Sequence, residues 1–293
     1  LEMAAQASGC AQFGLRMAES RQLSDFGVVS LLISHQRSLR DALSVTMQYR
    51  HLLNDTLAMQ LEDAGDMVII REEVVATAPS RQATELAIGV MMRLCAALLG
   101  THWHPISANF THAAPADPAI HRRIFGCTLV FGSEFNGIVC HAADLDIPNP
   151  LANQAMARHA RQYLDTLLVE TQQSLLTDVR KAVYLLLPMG RATIEQIART
   201  LGMNVRTLQR HLEESGATFS ELVNDVRRDL VMRYLQNSGY SLGHIADMLG
   251  YSMPSSFTRW FSAQFGMPPA TWRSRHKGVP KVAQPARAGL AYG

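Results

Sequence analysis

Apolar residues recur along the first half of the chain at helical spacing in some segments and at strand spacing in others. Helical spacing predicts helices over 37–55 and 80–100, the second capped by Ser80 and ended by Gly100. Short apolar runs predict strands over 57–61, 67–75, 106–112, 127–131 and 137–141, with a helix over 116–126. The turn-like EDAGD between the first two strands predicts a hairpin. This interleaving predicts an α+β domain over residues 1–150.

The chain opens at Leu1-Glu2-Met3 without a clear element. Either an upstream part of the first domain precedes these residues, or they are an addition to it.

A long helix is predicted over residues 153–187. Its apolar stripe either forms a dimer seam or covers the first domain, and it consists of Leu164, Leu167, Leu168, Leu175 and Leu176. Pro188 and Gly190 end this helix. We therefore divide the rest of the chain into a linker or dimerisation helix (151–187), an all-α domain (188–276) and a tail (277–293) predicted to be disordered, because it lacks periodicity.

The all-α domain contains an internal repeat. Residues 193–212 match residues 241–261 with a shift of 48 through the first helix and 49 after one inserted residue. The matched positions are Thr193 and Ser241, Ile197 and Ile245, Ala198 and Ala246, Gly202 and Gly250, and Asn204 and Ser252. They supply, in order, an N-cap, a core residue, a small contact residue, a turn glycine and a second N-cap. The repeat predicts helix, tight turn and helix, made twice.

The second helix of such a unit enters the major groove of DNA and reads bases with its exposed N-terminal half. If Leu208 and Leu212 point inward, the outward side chains of the first unit are Arg206, Gln209 and Arg210. Arginine pairs with guanine and glutamine with adenine through two hydrogen bonds each. In the second unit Phe257 and Phe261 point inward. The outward side chains are then Pro254, Ser255, Thr258 and Arg259. Pro254 is tolerated because it lies in the first helical turn. A further helix, predicted over 218–236 and capped by Thr218, joins the two units.

Charge separates the two halves of the chain. Residues 1–179 carry 12 Lys and Arg against 18 Asp and Glu, whereas residues 180–278 carry 13 against 7. A basic module on an acidic body favours a polyanionic partner for that module alone. The four cysteines are widely separated, which argues against a zinc knuckle or a disulfide framework. No run approaches 18 apolar residues, so we expect a cytoplasmic protein without a membrane segment.

The pattern that points toward an enzyme is THWHPISANFTH, with His102, His104 and His112, followed by His121. Alternating histidines could place two imidazoles on one face of a strand for zinc. The stretch holds no carboxylate, and the chain has no HExxH helix, GxSxG, phosphate loop or dinucleotide-binding glycine pattern. We predict structural or solvent-facing histidines, no catalytic residue and no bound metal or cofactor.

The repeat resembles the AraC/XylS family of bacterial transcription regulators. The resemblance is carried by LPMGRATIEQIARTLGMNVRTLQRHL, FSELVNDVRRDLVMRYL, SLGHIADMLGYS and FTRWFSAQFGMPPATWR, with both units and their spacing intact. The first domain, over residues 38–66 and 122–150, is similar to the arabinose-binding-type effector domain of a branch that includes ornithine-utilisation and virulence regulators.

The resemblance implies base contacts from the outward residues named above, together with phosphate and helix-end contacts near Thr193, Ser241 and Asn204. Glu213 and Ser262-Ala263 stand where the family often has basic residues, and Met253 replaces a common acidic one. Fewer cations imply weaker binding by one monomer and a shallower salt dependence.

These features predict a regulator of promoter DNA, controlled by a small-molecule effector or partner at the first domain. The resemblance favours activation, contact with RNA polymerase and a homodimer; it does not indicate which residues bind the effector. Two alternatives stay open, namely a first domain that merely dimerises and a metal-binding or enzymatic first domain fused to a DNA-binding module.

Overall fold

Two hydrophobic cores organise the chain, one mixed and one helical. The computed structural model describes residues 1–76, 81–168, 175–236 and 239–276. An α+β domain followed by a helical domain agrees with the fold class predicted from sequence. The predicted tail, 277–293, lies outside the described residues.

The first domain is built from short helices, a sheet and one long central helix. Its elements are α1 (Glu2–Ser8), α2 (Phe13–Ser20), α3 (Val28–Ser34), α4 (Leu39–Gln48), α5 (Arg50–Leu53), β1 (Leu57–Ala64), β2 (Met67–Val74), α6 (Arg81–Leu99), β3 (Ser107–Phe110), α7 (Ala119–Phe125), β4 (Thr128–Phe131), β5 (Gly137–His141) and α8 (Gln154–Leu168). Single 3-10 turns lie at Leu23–Phe26 and Ala142–Asp146.

The five strands form one sheet in the order β1-β2-β5-β3-β4. β1 and β2 form the predicted antiparallel hairpin, and Gly65 in its turn has a φ of 71°, which suits glycine. β5 pairs antiparallel with β2 and with β3, whereas β3 and β4 are parallel. A parallel pair needs a crossover, and α7 lies in it. The strands predicted from apolar runs are thereby confirmed.

One face of β2 packs against α6, because alternate side chains of a strand point to opposite faces of the sheet. Val68 and Ile70 join Met91, Met92 and Cys95 of α6 in the first core. α6 is long and apolar enough to cross a membrane, but 56% of its most apolar window is buried. Its apolarity therefore serves the core of the first domain.

Three local predictions for the first domain need correction or completion. The predicted helix over 37–55 breaks at Tyr49, which is fully buried and donates a hydrogen bond to Asp165 of α8 at 2.8 Å. The opening residues form α1, and the Glu2 carboxylate accepts the backbone N–H of Gln82 at 2.6 Å in the first turn of α6. The predicted cap Ser80 lies outside the described residues.

The segment predicted as one long helix contributes to both cores. Ala160 and Leu164 of α8 pack in the first core, so that core extends beyond the predicted boundary at residue 150. Leu175 and Leu176 pack against the second core. The described leucines of the predicted seam are therefore used within the chain, while residues 169–174 and the side chains of Leu167 and Leu168 lie outside what the structure describes.

The second domain begins with a helix that the sequence assigned to the linker. Its elements are α9 (Leu175–Leu186), α10 (Ile194–Thr200), α11 (Val205–Glu214), α12 (Phe219–Gln236), α13 (Leu242–Met248), α14 (Pro254–Phe265) and α15 (Pro269–Arg275). Val179 and Val183 of α9 are fully buried in this core. α9 ends at a 3-10 turn, Leu187–Met189, and at Gly190, which confirms the predicted break.

Candidate DNA-binding surface

The two predicted units have the same backbone geometry. Thr193 accepts the N–H of Gln196 at 3.3 Å at the start of α10, and Ser241 accepts the N–H of His244 at 3.0 Å at the start of α13. In each unit the carbonyl of the small contact residue, Ala198 or Ala246, accepts an N–H beyond the turn at 2.9 Å. Both helices therefore begin and end through equivalent bonds, as the repeat predicts.

The turn glycines are required by backbone conformation. Gly202 has a φ of 69° and Gly250 a φ of 73°, which side chains rarely adopt. Around Gly250 space is also short, because an added Cβ would lie 3.3 Å from the Cδ1 of Leu187. Arg227 of α12 contacts the second turn on both sides of Gly250. Its guanidinium donates a hydrogen bond to the carbonyl of Leu249 at 2.9 Å and lies 4.5 Å from the centroid of the Tyr251 ring.

α11 presents the predicted polar face of the first unit. Its buried side is formed by Leu208 and Leu212, and its N-cap Asn204 accepts the N–H of Thr207 at 2.8 Å. Arg206, Gln209 and Arg210 are exposed. A depression of about 430 Å³ on this surface is lined by Asn204, Arg206, Thr207, Gln209, Arg210 and Glu213. The structure thus brings the sequence-predicted residues of the first unit together on one concave face.

Arg210 has a neighbouring carboxylate that the sequence analysis did not consider. Its Nε lies 3.7 Å from Glu214, and both side chains are more than half exposed. An ion pair this exposed is worth little, so it leaves the guanidinium available to a phosphate or a base.

α14 presents a less polar face. Phe257 and Phe261 are buried and Pro254, Ser255, Thr258 and Arg259 are exposed, as the sequence predicts. Pro254 is the first residue of the helix, where its missing N–H has no partner to lose. The Thr258 hydroxyl donates to the Pro254 carbonyl at 3.0 Å. The predicted capping role of Ser252 is wrong: the helix begins one residue later, with Met253 at the N-cap and no side-chain cap bond.

α12 connects the units rigidly. Thr218 and Glu221 cap it reciprocally, with the N–H of Thr218 donating to Glu221 at 2.8 Å and that of Glu221 to Thr218 at 3.3 Å. Its 18 residues span about 27 Å, somewhat less than the ~34 Å between successive turns of the major groove. Arg228 forms an ion pair with Asp225 on this helix.

Polar contacts also join the first domain to the second. On the face of β2 away from α6, Glu73 pairs with Arg233 of α12 at 2.8 Å. The loop between β4 and β5 reaches the start of α13: the Tyr240 hydroxyl donates to the carbonyl of Ser133 at 2.6 Å, and Glu134 lies 3.1 Å from the Nε2 of His244. Glu134 therefore meets the helix that Ser241 caps, within one turn of the predicted phosphate contact.

The four histidines singled out in the sequence divide into two pairs. His102 and His104 are exposed, whereas the Nε2 atoms of His112 and His121 lie 3.3 and 3.2 Å from the Oε1 of Glu85 on α6. Burial raises the pKa of Glu85, but hydrogen bonds and charges from His121, Arg81 and His112 outweigh burial and lower it. Sequence reasoning missed Glu85 because it is far from the histidines along the chain. Within the described ranges, no group of three His, Cys, Asp or Glu side chains is arranged to hold a metal ion.

A mixed α+β domain joined to two equivalent helix-turn-helix units with exposed reading helices defines a DNA-binding transcription regulator. Comparison with known families matches residues 1–149 to the "Arabinose-binding domain of AraC transcription regulator, N-term" and residues 197–275 to a "Helix-turn-helix domain". The chain belongs to the AraC family of transcription regulators.

Curated relatives span most of the chain. It is 29% identical over 278 residues to the HTH-type transcriptional regulator VirS of Mycobacterium tuberculosis, which covers 94% of this chain and 82% of that one. It is 27% identical over 264 residues to the ornithine utilization regulator of Pseudomonas aeruginosa, with 89% and 78% covered. The solved structure of transcriptional regulator CdpR from Pseudomonas aeruginosa aligns with 89% of this chain and 86% of its own at 19% identity and a TM-score of 0.46.

Proposed function

We propose that the two units read adjacent major-groove segments of promoter DNA with α11 and α14. Arg206, Gln209 and Arg210 contact bases in the first segment. In the second segment the base contacts come from Pro254, Ser255, Thr258 and Arg259. Phosphates lie against the N-terminal ends of three helices, which are marked by Thr193, Ser241 and Asn204. The observation that carries this proposal is the equivalence of the two units, from N-cap through turn to an exposed second helix.

Substitution of Arg210 tests the assignment at one residue. Arg210→Ala should cost about 1 to 3 kcal/mol of binding at the cognate duplex and relax the preference at one base pair, since a bidentate arginine distinguishes guanine. Arg228→Ala is a matched control, because Arg228 is an exposed arginine of the same domain that pairs with Asp225. Equal losses for Arg210→Ala on cognate and random duplexes would reduce its role to a phosphate contact.

We further propose that the first domain controls DNA binding through its contact with α13. A phosphate approaching the Ser241 end of this helix would meet the Glu134 carboxylate, and like charges repel. A small-molecule effector or partner protein that draws the β4–β5 loop away favours the DNA-competent arrangement. Loss of the negative charge in Glu134→Gln should therefore raise affinity for the cognate duplex without any effector. Unchanged or lower affinity would contradict this route of control.

The remaining finer assignments follow the family. We propose that the chain acts in the cytoplasm as an activator that contacts RNA polymerase; one partial relative, 30% identical over 86 residues, is named the urease operon transcriptional activator of Escherichia coli.

We also propose a homodimer formed through the outward side of α8, where Met156 and Tyr163 are 38% and 53% exposed. Sedimentation velocity of the protein should give a dimer that Tyr163→Arg weakens; a monomer at all concentrations would refute it.

A further inference from the structure

The N-cap position of α14 carries an exposed apolar side chain. Met253 is 60% exposed, and of the large apolar side chains in the described part of the second domain it is the one that is exposed. In the rest of the described chain, the exposed large apolar residues run from Leu1 to Tyr163 and precede α9. The Met253 side chain therefore contributes little to the stability of the fold, because it makes no capping hydrogen bond and buries little apolar surface.

Pro254 and Thr258, on the same face as Met253, add little hydrogen-bonding capacity to it. Pro254 has no N–H, and the Thr258 hydroxyl gives its proton to the Pro254 carbonyl at 3.0 Å. The N-cap of α11, by contrast, is the polar Asn204, followed by Arg206 and Gln209. The two reading helices thus differ at their starts: α11 begins with a polar N-cap, whereas α14 begins with Met253 and Pro254, ahead of Ser255 and Arg259.

In the major groove, one base presents an apolar group, the C5-methyl of thymine. We propose that Met253, with the ring of Pro254 beside it, makes the second unit selective for thymine by packing against that methyl. This inference rests on the proposed function, because α14 must enter the groove for the contact to form. Methionine suits the role, since its unbranched, polarisable side chain adapts to an irregular apolar surface.

Deoxyuridine tests the contact directly, because it removes the methyl of thymine and keeps every hydrogen-bonding group. The full chain first selects duplexes from random DNA, and loss of preference in Arg210→Ala and Arg259→Ala assigns each conserved block to α11 or α14. Each thymine of both blocks is then replaced by deoxyuridine, one at a time. Binding is measured at fixed salt for the wild type and for Met253→Ala, whose new side chain also has no capping oxygen.

For the wild type, one or more replacements in the α14 block should lower affinity about fourfold, the factor that corresponds to burial of one methyl-sized carbon. The same replacements should change the affinity of Met253→Ala by less than about twofold, because the contact is already gone. Replacements in the α11 block should affect both proteins equally.

Three results would overturn the proposal. Deoxyuridine could be tolerated throughout the α14 block, or the wild type and Met253→Ala could lose affinity equally. Met253→Ala could also retain full affinity and thymine dependence while losing transcription, which would assign the side chain to a protein partner. If well-folded protein selects no sequence at all, the proposed base reading by both units fails as well, a result distinct from a selected site that is indifferent to the methyl.

Discussion

Glu72 gives the first domain a pH dependence that can be worked out from its position. The residue is 2% exposed on β2, its Oε2 has no hydrogen-bond partner among the described residues, and burial raises the pKa of its carboxyl from 4.5 to about 8. The folded protein therefore holds a proton that the unfolded chain releases between these values. Its contribution to stability is complete below pH 4.5 and is lost progressively as the pH rises toward 8.

Between pH 4.5 and pH 7 the free energy of unfolding falls by about 1.4 kcal/mol per pH unit because of this group. The stability lost at pH 7 is therefore about 3 kcal/mol. Glu72→Gln resembles the protonated acid at every pH, so it should raise the free energy of unfolding at pH 7 by about that amount and by little at pH 5. Urea unfolding followed by circular dichroism from pH 5 to 8 measures this. Glu19→Gln, at a partly exposed ion pair with Arg123, should change stability by less than about 1 kcal/mol. Parallel pH profiles for the wild type and Glu72→Gln would refute the reasoning.

Further predictions concern the domain contact and the two turns. Glu73→Ala should lower the free energy of unfolding by about 3 kcal/mol, because it leaves the Arg233 guanidinium, 25% exposed, without its carboxylate; replacement of both residues by methionine should restore most of the loss in urea unfolding. Gly250→Ala should lower the thermal midpoint more than Gly202→Ala, since the first adds a 3.3 Å contact to a conformational cost of about 1 kcal/mol and the second has open space; equal shifts would contradict this. Asn204→Ala should cost about 1 kcal/mol by loss of the cap bond, and an unchanged midpoint would show that the cap contributes nothing.

The helix-turn-helix units were predictable because their signals are local. An N-cap, a core residue and a turn glycine lie within ten residues of each other, and each acts on the backbone beside it. Repetition of the pattern at Thr193 and Ser241 made the prediction more specific than either copy alone. The one local error, Ser252, occurs where the inserted residue shifts the helix start to Met253.

The contacts between distant segments could not be predicted in the same way. Glu85 meets His121 from 36 residues away, and Glu73 meets Arg233 from 160 residues away. No periodicity marks such pairs, because they depend on how β2, α6 and α12 pack together. The short helix α2 was missed as well: Gly14 allows it to approach α6 so closely that an added Cβ would lie 2.0 Å from the carbonyl oxygen of Gln82. A lone glycine in a short segment does not reveal what lies opposite.

The claim that both units read DNA is tested most directly by selecting binding sites from random duplex DNA with the full chain at one fixed salt concentration. Two conserved blocks with centres about 10 base pairs apart are expected, because α12, which joins the two units, is about 27 Å long and so approaches the length of one turn of the duplex. A single conserved block from well-folded protein would show that α11 or α14 does not read bases, and would contradict the account.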